Sequence, residues 1–152
     1  NKVRGAEFVV PEVYLEAIRS LKKADSTYMQ WRIMTLIQNI GDRAGFLHLE
    51  NVKLLVKSGQ ETFEGCYYRK QSTYERILAG ELVPDKLKPV FLKVGETDFN
   101  FIQRAYDFIL PGELEIWDEA ILTLEGKSST HKDEMKAFTK RLPVNVEKFS
   151  IL

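Results

Sequence analysis

The chain has 152 residues, 44% of them apolar and 29% charged, with 22 basic, 22 acidic and one cysteine. That length suits one domain spanning 1–152, and the composition excludes a disordered tail. A net charge of zero excludes a protein whose whole surface coats nucleic acid, because such binding is driven by an excess of Lys and Arg.

The lone Cys66 excludes an internal disulfide. No Asn-x-Ser/Thr sequon occurs, and no apolar run approaches the roughly 18 residues of a membrane span. These features read as an intracellular protein of cytoplasm or nucleus with no membrane partner. The chain starts at Asn1 rather than Met, which reads as an excised or processed form.

In chain order, Pro11 suits a first helical turn, and Val13, Ala17, Ile18 and Leu21 follow at helical spacing, so a helix is expected over 11–24. Ser26 can cap a second helix, 27–40, in which Tyr28, Trp31, Ile33, Leu36, Ile37 and Ile40 are apolar and Gly41 is the stop. Residues 42–45 form a turn and Phe46 to Leu49 a short strand. Helices are expected at 50–58, stopped by Gly59, and at 66–79, stopped by Gly80. Pro84 and Pro89 make 82–94 extended or a hairpin.

Thr97 can cap a helix running to about Leu110, apolar on most sides through Phe99, Phe101, Ile102, Ala105, Tyr106, Phe108 and Ile109. Leu114 to Leu124 leans helical on the spacing of Trp117, Ala120, Ile121 and Leu124. Thr130 and Asp133 resemble a capping box for a helix ended by Pro143, and 144–151 is a terminal strand. The expected fold is therefore mainly α: a compact domain of five to six helices with at most a small hairpin or short sheet. Trp31, Ile37, Phe101, Ala105, Ile109 and Phe138 are its expected core.

Catalytic and metal sites find no support. His48 and His131 lie in no paired spacing and, with one cysteine, are too few for a Cys/His zinc site. His48, in an apolar stretch, reads as a core histidine. Ser72 stands where a phosphatase-type loop around Cys66 would need arginine, although Arg69 and Lys70 would lower the thiol pKa if they faced it. No Gly-rich phosphate loop or serine elbow is present, so no cofactor is expected.

Charge is unevenly distributed. Residues 1–95 carry net +4, residues 96–126 net −7 and residues 127–152 net +3. Large apolar groups stand among the acids, and this mixture is typical of an interface. The first expectation is a non-catalytic interaction domain, part of a larger assembly. It would bind a protein of basic or mixed surface through Phe99, Asp107, Phe108, Glu115, Trp117 and Glu119.

The alternative expectation is a nucleic-acid-binding domain. Tyr67 to Arg76 mixes aromatics, hydroxyls, an amide and cations, the groups that contact phosphates and bases. The order of elements over 27–94 is similar to a winged helix, with a long loop before its third helix. Arg69, Lys70, Gln71, Thr73 and Arg76 would read the ligand, and Lys86 and Lys88 would sit in the wing.

Overall fold

A computed structural model describes residues 5–23, 26–80, 85–98, 105–112, 114, 116–142 and 150–151. The described chain is mostly β, which corrects the helical expectation. Its strands are β1 (Phe8–Lys23), β2 (Ser26–Asn39), β3 (Gly45–Ser58), β4 (Glu61–Tyr68), β5 (Val90–Leu92), β6 (Thr97–Asp98), β7 (Ala105–Pro111), β8 (Glu119–Ser128), β9 (Lys136–Arg141) and β10 (Ser150–Ile151). Among the described residues one helix occurs, α1 (Gln71–Leu78).

The strands form one curled sheet in the order β10-β1-β2-β7-β4-β3-β8-β9, with β5 added to β3 and β6 to β2. All pairings are antiparallel except β1 with β10. The curl brings β9 back towards β1. The bend lies in β4, whose residues Glu61 to Gly65 pair with β3 while Cys66 to Tyr68 pair with β7. Gly65 stands at this corner. A Cβ there would sit 3.1 Å from both the Leu54 side chain and Phe108 Cβ, so a larger residue would press the two layers apart.

The core fills the curl from both layers. Trp31, Phe108 and Leu110 enter from one side, and Leu47, Leu54, Leu122 and Leu124 from the other. Trp31 meets Trp117 with ring centroids 4.7 Å apart. Along β2, Trp31, Ile33, Thr35, Ile37 and Asn39 face inward, a period of two. Tyr28, Met34 and Leu36 are apolar on the opposite face, and this two-sided apolarity imitated helical spacing.

Pro11, read as a helix start, lies in β1 where the register shifts between Val9 and Glu12, a place where a missing N–H costs no ladder bond. The segments expected as helices at 50–58, 97–110 and 114–124 contribute to β3, to β6 and β7, and to β8 instead. Thr130 begins no helix; its hydroxyl oxygen accepts the Ala6 N–H at 2.9 Å, and Lys136 to Arg141 form β9. Only the second half of the helix expected at 66–79 exists. The winged-helix order falls with these corrections.

Trp31, Ile37 and Ile109 are buried as expected, whereas Ala105 and Phe138 are half-buried and Phe101 lies outside the described residues. His48 is exposed, not a core residue: it alternates with Leu47 and Leu49, which face inward. One buried polar group ties the sheet end together. The Asn39 amide donates to the Arg43 and Leu92 carbonyls at 2.8 and 3.1 Å, and its oxygen accepts from the Gly41 and Glu7 N–H groups at 2.9 and 3.2 Å.

Candidate functional site: a polar cleft and a cationic groove beside α1

The register that buries Trp31 and Phe108 sets Arg32 and Asp107 opposite each other on the outer face of β2 and β7, and sets Tyr68 of β4 beside Asp107. Arg32 donates to Asp107 through two nitrogens, at 2.8 and 3.3 Å, a forked charge-assisted pair. Glu16 joins this group from β1. The register shift between Leu15 and Ala17 makes Glu16 an extra, bulged residue and aims it at the outer face. Burial, countered by Arg32 and aided by Asp107, holds the Glu16 carboxyl above its ordinary pKa.

Helix α1 covers the neighbouring part of this face. Ile77 packs on Tyr68 and Ile109, with Tyr28, Cys66, Tyr74 and Leu78 around them. Between helix and sheet opens a polar cleft of about 420 Å³ lined by Arg19, Gln30, Arg32, Tyr68, Arg69, Tyr74 and Asp107. Burial raises the Tyr68 phenol further above its usual range, and it pushes Tyr67 up to about 12. Burial and the Glu64 charge also raise the Cys66 thiol. A protonated thiol is a poor nucleophile, so Arg69 and Lys70 do not activate Cys66.

The start of α1 is held from a distance. Asp85 accepts the Arg69 and Lys70 backbone N–H groups, the latter at 3.0 Å, and the Thr73 hydroxyl at 2.6 Å. It does for the helix what an adjacent capping residue ordinarily does. Burial raises the Asp85 pKa, but these hydrogen bonds and the Lys70 charge outweigh it, and the carboxyl stays below its ordinary value.

By tying residue 85 to residues 69 and 70, the same contacts form a second depression. This groove, about 610 Å³, is lined by Arg69, Lys70, Asp85, Lys86, Leu87, Lys88 and Pro89. Arg69 lines both groove and cleft.

Four of the seven residues expected to touch nucleic acid, Arg69, Lys70, Lys86 and Lys88, therefore converge. Thr73 is buried and bonded to Asp85. Arg76 is in the last turn of α1, outside the groove lining, and the Gln71 side chain lies outside the described residues. Arg19, Gln30 and Arg32 escaped the sequence reading because they were placed on helices; their alternation with buried neighbours was the available signal. Asp85 had no local signal, since its partners lie 12 to 16 residues away.

Among the described residues the acids of the acidic stretch meet separate partners within the chain. Asp107 pairs with Arg32. Glu119 meets Arg141 at 2.8 Å and Lys57 at 3.8 Å, and Glu125 meets Lys53 at 3.0 Å. Asp118 accepts the Gly59 N–H. Phe108 and Trp117, expected as interface anchors, are buried in the core. Phe99 and Glu115 lie outside the described residues.

Among the described residues no group of three His, Cys, Asp or Glu side chains is placed to hold a metal ion. No described helix is long and apolar enough to cross a membrane. The fold and site thus define a curled, mainly antiparallel sheet with α1 on its outer face and a cationic groove at the start of that helix. No protein-family model matches the chain, and no curated protein matches it.

Proposed function

We propose that this chain is a non-catalytic nucleic-acid-binding domain that seats a phosphate backbone along the groove at the start of α1. The carrying observation is the convergence of Arg69, Lys70, Lys86 and Lys88 on one groove, where Asp85 is the one acidic side chain among the described lining residues. Asp85 is hydrogen-bonded to the helix N–H groups and Thr73, and the four cations outnumber its single charge. Arg19 lies further along the same surface, in the cleft that shares Arg69. A local cationic strip is compatible with zero net charge, because salt screens charges beyond roughly 8–10 Å.

Protein binding through the acidic stretch has less support, since among the described residues Asp107, Glu119 and Glu125 are paired with cations of this chain and Phe108 and Trp117 are buried. The test is fluorescence anisotropy with a labelled oligonucleotide across a salt series. Four phosphate contacts predict a slope of log affinity against log salt of about −3 for a single strand. Arg69→Ala and Lys88→Ala should each weaken binding and reduce that slope by about 0.7. Absence of binding at low salt, or a slope indifferent to both substitutions, would overturn the reading.

A further inference from the structure

The stretch that carries Lys86 and Lys88 runs directly into β5, and Lys88 and Pro89 are both exposed before its burial alternates from Val90 to Leu92. Leu87, Val90 and Leu92 turn inward or are partly covered, while Lys86, Lys88 and Phe91 are exposed. Phe91 is paired in register with Phe46 of β3. Their rings lie 4.9 Å apart, and His48 stacks on Phe46 at 5.8 Å with planes inclined by 28°. Phe91 and Phe46 are 50% and 42% exposed, so about half of each ring's residue surface is open to solvent. Lys88 and Phe91 are three positions apart, at most roughly 10 Å of extended chain. Two exposed cations and one exposed ring thus follow one another along a single stretch, with Phe46 and His48 beside that ring on β3.

We infer that the occupant is a single-stranded nucleic acid, whose backbone lies in the Arg69–Lys88 groove and whose bases stack on Phe91, Phe46 and His48. This inference rests on the function proposed above and specifies its ligand. An electropositive groove followed by aromatic platforms is how a domain holds a single strand without reading its sequence, since every base has a π-face. A duplex keeps its bases stacked on one another and offers no free face to the rings. An acidic protein segment would satisfy the cations and leave the aromatic rings without a role.

The experiment compares four ligands on the whole chain by anisotropy or competition: a ten-nucleotide single strand, a duplex of that length, heparin, and a poly-glutamate peptide. The single strand should bind most tightly. Phe91→Ala and Phe46→Ala should each weaken it about fivefold or more, leaving the salt slope unchanged. Neither should alter binding of duplex or heparin. Phe91→Trp should retain or improve single-strand affinity, and circular dichroism and melting establish that each variant is folded. Equal affinity for strand and duplex, or single-strand binding unmoved by both alanines, overturns this inference while leaving the groove reading intact. Binding of the peptide but of neither nucleic acid overturns both.

Discussion

The inner and outer faces of the β1–β2–β7–β4 layer are made by the same strands, one residue out of step, yet they hold opposite chemistry. Inside, Ile18, Trp31 and Phe108 belong to a dry core; outside, Arg19, Gln30, Arg32, Asp107 and Tyr68 surround a cleft open to water. Because side chains alternate, each polar residue of the cleft is fixed by a buried neighbour on the same strand. The contrast teaches that rigidity on the outer face derives from packing on the inner one. Substitutions should therefore separate into those that unfold the domain and those that alter only what the outer face holds.

Trp31→Ala is expected to cost most, about 3–5 kcal/mol, because a fully enclosed indole leaves a cavity beside Trp117. A denaturant melt measures it, and a loss below about 1 kcal/mol would break the contrast between faces. Asn39→Ala should follow, at about 2–3 kcal/mol, since it removes the side-chain partner of two carbonyls, that of Leu92 buried, and of two N–H groups. The same melts check it.

Asp107→Ala should cost less, about 1–2 kcal/mol, because the pair with Arg32 is only partly covered. Freed of its partner, Arg32 should also bind anions more tightly, so the variant should be less stable yet retain oligonucleotide better. Reduced retention would show that Asp107 orients Arg32 for the ligand.

The smallest effects concern pH and sharpen the comparison by sign. Asp85 has a lowered pKa, so its contribution is fully present above the ordinary aspartate value near about 4 and is lost as pH falls through the lower folded value. Glu16 has a raised pKa, so the folded chain holds its proton longer than the unfolded one. Stability then declines as pH rises from about 4.3 through the raised folded value. Melts of Glu16→Gln and Asp85→Asn across this range should flatten these trends in opposite directions. Identical pH profiles for the two variants would refute the assignment.

Much of the local chemistry was legible in the sequence. Trp31 and Ile37 read as core, β5 falls within the stretch read as extended or a hairpin, and Arg69, Lys70, Lys86 and Lys88 were among the seven residues read as touching nucleic acid. Secondary structure was misread wherever strands carry apolar groups on both faces. In β2 and β7, Tyr28 and Ile109 belong to the outer face, packed there with residues of α1, and their presence filled in a helical period. Strand pairing is a relation between distant segments, so spacing within one segment cannot report it.

The sequence by itself determined which side chains are charged, which are aromatic, and that the chain has enough apolar residues for a core. Only the tertiary structure decided what those side chains face. Register placed Asp107 against Arg32 and distributed the acidic stretch among cross-strand partners; a bulge turned Glu16 outward; Asp85, brought by the chain's return, closed the cationic groove. The physical reason is that a strand's hydrogen bonds and half its packing are supplied by other strands. A slip of one residue would exchange core for surface, so the site exists only once the whole sheet has been paired.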